Sequence, residues 1–218
     1  MDSAITTIFQ LAILIFSVVI HEVSHGLTAN ALGDPTAKYA GRLTLNPLKH
    51  LDPVGSVIVP FITFVIPRLL GSSGVIIGLA KPVPYNPYYL QVRNRSLGAA
   101  IVGIAGPGAN ILIAVVFGLL VRTANFWGAT LGAIADPLVG IMGSIAFVNL
   151  MLAVFNLVPI PPLDGSKVLF SILPAGWGSA ERFLEEYGFL LLLFFIYSYS
   201  HLITPVVLFL FRLIVGLG

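Results

Sequence analysis

His21-Glu22-Val23-Ser24-His25 is the stretch of this chain richest in chemistry: two histidines four residues apart with a glutamate directly after the first. On an α-helix, positions i and i+4 share a face, so both imidazoles can reach one ion while the intervening carboxylate stands beside the metal-bound water. Zinc is the metal such a pair usually serves, and a catalytic zinc generally has three protein ligands and one open position. A third ligand must come from elsewhere. The longer HExxHxxGxxH pattern would need Gly and His where Thr28 and Ala31 stand, and no glutamate occurs between Glu22 and Glu181. The chain has no cysteine, which removes thiolate ligands, disulfides and cysteine nucleophiles. Asp164 is the remaining candidate. It closes the run Asn156-Leu157-Val158-Pro159-Ile160-Pro161-Pro162-Leu163-Asp164-Gly165, where prolines stop a helix and hold the backbone extended. The other reading, an aspartate capping a helix that starts at Gly165, stays open; the HExxH pair favours a ligand.

The elements that position these groups must be membrane helices. Of 218 residues, 57% are hydrophobic and 9% charged, with mean hydropathy +1.00, against roughly 25% charged residues in a soluble domain. The net charge of +2 comes without a basic block, so no nucleic-acid partner is expected. Apolar runs at 4–27, 97–121 and 138–158 are each long enough to span a bilayer. The last run, 187–217, is either one tilted helix or a pair broken between Tyr197 and Pro205. The first run lacks a basic leader and a cleavage site before it, so it is expected to be retained. The stretch 54–80 is apolar yet carries Pro60, Pro67, Arg68 and Gly71-Ser72-Ser73-Gly74. Basic residues flank it on both sides, at Lys38, Arg42 and Lys49 and at Lys81, Arg93 and Arg95. The positive-inside rule puts both flanks in the cytoplasm and makes the stretch a re-entrant or hairpin insertion. The expected fold is an all-α polytopic bundle of about four to six membrane segments, a single domain over residues 1–218, with His25 and Asp164 on the cytoplasmic side.

Three elements together resemble the site-2 protease family: HExxH on one span, Ala105-Gly106-Pro107-Gly108-Ala109-Asn110 on a second, and the Asn-x-x-Pro-x-Pro-x-x-Asp-Gly pattern at Asn156 to Gly165. Gly41-Arg42-Leu43-Thr44-Leu45-Asn46-Pro47 and Ala80-Lys81-Pro82-Val83-Pro84 look most similar to the compact bacterial and archaeal members without a PDZ domain. The resemblance covers residues 1 to about 175 and implies a prokaryotic, multi-pass membrane enzyme with one Zn2+ per chain held by His21, His25 and Asp164. It also implies that Glu22 activates water, that Asn156 contacts the substrate or the developing oxyanion, and that the substrate is a membrane protein cut within or near a transmembrane segment in the lipid bilayer.

The residues carry other readings. Asn156 can instead satisfy backbone groups that the prolines free. Gly106, Pro107 and Gly108 are expected to let helices approach closely, with Asn110 bonding across the contact. His50 with Asp52 reads as a surface hydrogen-bonded pair in preference to an accessory metal or gating pair, and His201 has no assigned role. Against the protease stand an inactive homologue serving as a metal-binding scaffold and a cation transporter. Glu22 speaks against the first, and the lack of paired hydrophobic halves against the second.

Overall fold

The computed structural model describes residues 3–50 and 82–216. Asp52 and the 54–80 insertion lie outside the described residues. Among those described, every regular element is a helix. α1 (Ser3–Ala31) is followed by the short α2 (Thr36–Tyr39). Next come α3 (Arg95–Arg122), α4 (Ala124–Leu131), α5 (Ala135–Asn156), α6 (Gly165–Ile172), α7 (Gly178–Tyr199) and α8 (Ile203–Val215). Among the described residues, three stretches are long and apolar enough to cross a membrane: Ile5–Ala31, Arg95–Arg122 and Ala124–Asn156. The pair α7 and α8 forms a fourth if taken as one span. The chain is a helical membrane bundle.

The last run is therefore a broken pair, with a 72° bend between its helices. Pro205 explains the break. It sits in the first turn of α8, where a missing N–H costs nothing, but it cannot continue a helix arriving from α7. His201 lies exposed in the turn of 3-10 helix between them.

α3 is the central element. Asn94 caps it by accepting from Leu97 N at 3.2 Å, and it packs against α1, α5, α6 and α8. Small residues allow this: a Cβ at Gly118 would lie 2.5 Å from Ile214 Cγ2, and one at Gly103 would lie 3.0 Å from Lys167 Cδ. Gly108 departs from expectation, since a Cβ there would meet nothing within 4 Å. Close approach in the expected motif therefore belongs to Gly106 and the fully buried Pro107. Ala114, Leu150, Ile203 and Val207 form the apolar centre of the bundle, while isoleucines, leucines and phenylalanines of α1, α3, α7 and α8 face outward, as lipid-facing surfaces should.

A second buried cluster, Ala29, Leu90 and Val102, fixes the strip that follows the insertion to the ends of α1 and α3. Asp34 ties the same strip down. Fully buried, its carboxylate accepts from Thr36 N at 3.0 Å, Thr36 Oγ1 at 2.5 Å and Asn86 N at 2.6 Å. Burial alone would raise its pKa, but these hydrogen bonds outweigh burial and hold it below the usual range. A depressed native pKa stabilises the fold fully above the unfolded value of about 3.9, and the contribution fades as pH falls below that toward the native value. Asp34→Asn leaves fewer lone pairs for three donors and is expected to destabilise the detergent-solubilised protein by about 1–3 kcal/mol at neutral pH. Thermal melts should show the gap from wild type narrowing as the pH drops below about 4.

Candidate metal centre

Ser17, His21 and His25 recur every fourth residue and form one polar stripe on α1, turned inward with side chains almost fully buried. His25 Nδ1 meets Val102 O at 2.6 Å. A carbonyl only accepts, so Nδ1 carries a proton, and the neutral ring keeps its lone pair on Nε2. His21 Nδ1 meets Asn110 Oδ1 at 2.6 Å, with the same consequence. Both free Nε2 atoms then face Asp164.

Asp164 stands at the position before α6, yet its side chain makes no capping hydrogen bond. Its Oδ2 lies 3.0 Å from His21 Nε2 and 3.0 Å from His25 Nε2, while Oδ1 accepts from Lys167 Nζ at 2.9 Å. The capping alternative for this residue is thus set aside by geometry. The loop that aims it is folded tightly on itself: a Cβ at Gly165 would fall 2.2 Å from Leu157 O and 2.6 Å from Val158 O.

His21 Nε2, His25 Nε2 and Asp164 Oδ2 therefore form a triangle with 3.0 Å sides. Ligand atoms around one tetrahedral zinc lie about 3.3 Å apart, and the three residues offer atoms within 4.8 Å of one another. With both Nδ1 protons committed elsewhere, the neutral imidazoles bring two lone pairs to the Asp164 carboxylate with no proton between the three. That arrangement is repulsive unless a cation joins them, so the donor set fits a divalent metal.

These ligands line a cavity of about 350 Å3 with Glu22, Asn156, Lys167 and two proline-rich stretches, one containing Pro82, Val83, Pro84 and Tyr85 and the other Pro162. Glu22 is half-buried, and its Oε2 accepts from Val83 N at 2.8 Å. Asn156 ends α5 at the cavity wall and donates from Nδ2 to Leu152 O at 2.9 Å. Asn110 does bond across the helix contact, as expected, but to a candidate ligand. Gly106 does more than bring helices together: a Cβ there would sit 2.4 Å from His25 Nε2 and 2.7 Å from His21 Nε2. His50 is buried, not at the surface, with Nε2 2.9 Å from Thr44 O. Lys167, Val83, Ser17 and Asn149 are partners the sequence reading missed. Lys167 follows Asp164 by one helical turn, and Asn149 is an amide inside an apolar span, which was the available signal.

Comparison with known proteins identifies the family of the chain. The family model for peptidase family M50 matches residues 122–196, which include Asn156 and Asp164. The "Putative zinc metalloprotease YwhC" of Bacillus subtilis (strain 168) is 36% identical over 181 residues, covering 83% of this chain and 76% of that protein. The chain belongs to peptidase family M50. M50 is the site-2 protease family, and its curated members similar to this chain are named as zinc metalloproteases. "Putative zinc metalloprotease Rip2" of Mycolicibacterium smegmatis is 33% identical over 181 residues, 81% of this chain but 62% of that protein. The Mycobacterium tuberculosis (strain H37Rv) protein of the same name is 29% identical over 158 residues, 52% of its length. No solved structure matches this M50 chain. The relatives' zinc and the His21, His25 and Asp164 donor set point to the same cofactor.

Proposed function

We propose that this chain is an intramembrane zinc metalloprotease that hydrolyses peptide bonds within or near transmembrane segments of membrane-protein substrates. In this reading His21, His25 and Asp164 hold zinc, Glu22 is the general base, and Asn156 contacts the substrate. The observation that carries it is the convergence of three donor atoms, buried among helices long enough to span a bilayer, beside a glutamate in the same cavity.

Zinc bound there supplies Lewis acidity to the scissile carbonyl and brings the pKa of a coordinated water down to about 7. Glu22 takes a proton from the attacking water and returns it to the leaving amine. Its bond to Val83 N holds one carboxylate oxygen, so the other is free to work. The Asn156 amide, now on Leu152 O, donates to the substrate carbonyl oxygen as negative charge builds there. A substrate helix must unwind before its carbonyls are exposed. Pro82 to Tyr85 from one strip and Asn156 and Pro162 from the other line the slot for the extended segment. The basic residues on either side of 54–80 support a slot that faces the cytoplasm.

Purified protein in detergent or liposomes should cleave a model substrate with helix-breaking residues in its transmembrane segment. A chelator should stop cleavage, zinc should restore it, and mass spectrometry should map the cut inside or beside the span. A stable, zinc-loaded protein that cuts none of several unrelated transmembrane substrates would rule the proposal out. Within it, Asn156→Ala should lower kcat/KM by about 10²-fold with zinc content unchanged; undiminished turnover would return Asn156 to a purely structural place.

A further inference from the structure

Below the histidine pair runs a string of buried polar side chains that the proposed chemistry does not touch. Ser17 comes from α1, Asn110 from α3 and Asn149 from α5, and both asparagines are 0% exposed. The polarity of the string can be read from one end. Asn149 Nδ2 donates to Ile145 O at 2.8 Å, a carbonyl that can only accept, and to Ser17 Oγ at 2.9 Å. Its Oδ1 must therefore face the other way, where it accepts from Asn110 Nδ2 at 2.7 Å. That donation turns Asn110 Oδ1 toward His21 Nδ1, 2.6 Å away. A carboxamide oxygen cannot donate, so His21 carries a proton on Nδ1, and the neutral ring keeps its lone pair on Nε2.

The opposite polarity is chemically available and would silence the site. With the Asn110 amide turned over, its NH2 group would face Nδ1, and the His21 proton would have to sit on Nε2, where a metal needs the lone pair. Asn110 has one other anchor for its present orientation, the Ser17 carbonyl at a long 3.4 Å. The Asn149 acceptor, at 2.7 Å, is the strong one.

We infer that Asn149 is a positioning residue for the metal centre: through Asn110 it selects the tautomer of His21 that can ligate a metal. The inference rests on His21 being a metal ligand. Neither asparagine touches the metal or substrate, so the effect is read in metal binding.

The test is zinc competition with a chromophoric chelator on purified, detergent-solubilised wild type, Asn149→Leu, and the double variant Asn149→Leu with Asn110→Asp. Thermal unfolding of each metal-free protein is followed in parallel. Asn149→Leu should weaken zinc binding about 10- to 100-fold. The double variant should recover most of that loss, because a carboxylate accepts from Nδ1 whichever way it is turned. Asn149→Ala, which leaves space where leucine could crowd, should rank with Asn149→Leu and stands in if the leucine variant does not fold. Unchanged zinc affinity in the single variants overturns the inference. So does a loss that Asn110→Asp fails to repair, since that outcome belongs to packing alone. His21→Ala separates the two readings: if it binds zinc as tightly as wild type, the metal-centre assignment itself falls.

Discussion

Glu22→Gln is expected to lower cleavage of a transmembrane substrate by about 10³-fold, while the protein still binds zinc as wild type does. The substitution keeps size and shape. The glutamine side-chain oxygen can still accept from Val83 N, the contact that fixes Glu22 at 2.8 Å, so the side chain should not drift. What it loses is the ability to take a proton at neutral pH. His21, His25 and Asp164 are untouched, and zinc content measured on both proteins isolates the proton-transfer step. Equal turnover by the variant would mean that Glu22 is not the base.

Gly106→Ala should have the reverse signature, a protein that folds but no longer holds its metal. The added Cβ would come within 2.4 Å of His25 Nε2 and 2.7 Å of His21 Nε2, the two atoms offered to the ion. Neither ring can move aside easily, because His25 is tied to Val102 O and His21 to Asn110. Zinc affinity should fall at least about 100-fold, a change of roughly 2.7 kcal/mol, and activity should vanish with it. Alanine is about 1 kcal/mol better than glycine inside a helix, so the metal-free fold should survive. Gly108→Ala is the matched control two residues away, where a Cβ meets nothing. It should leave zinc binding and turnover unchanged and raise stability by up to about 1 kcal/mol. Full zinc loading in Gly106→Ala would show that the histidines have room the geometry denies them.

The helices and the donor set were legible in sequence because each has a short-range pattern. Long apolar runs mark α1, α3 and α5, and four-residue spacing marks the histidine pair. Prolines after Asn156 marked the loop that carries Asp164. What stayed hidden are contacts between residues far apart in the chain. Val83 reaches Glu22 across 61 positions, and Asn149 reaches Ser17 across 132. No local periodicity encodes such pairs. Gly106 was readable as a small residue at a helix contact, but not as room for two imidazoles, since that depends on the register between α1 and α3. The break in the last run was framed by Pro205, yet composition alone fits a straight helix as well as a bent pair.

The division of the donor triangle also has a consequence in time. His25 and Asp164 are 139 positions apart, so at roughly 5–20 residues per second the ribosome makes the aspartate about 7 to 30 s after the histidines. During that interval α1 can already be in the bilayer among other newly made membrane proteins, holding two donors and no third. On the proposed function, a nascent chain of this design could not cut until its second half had entered the membrane and closed against the first.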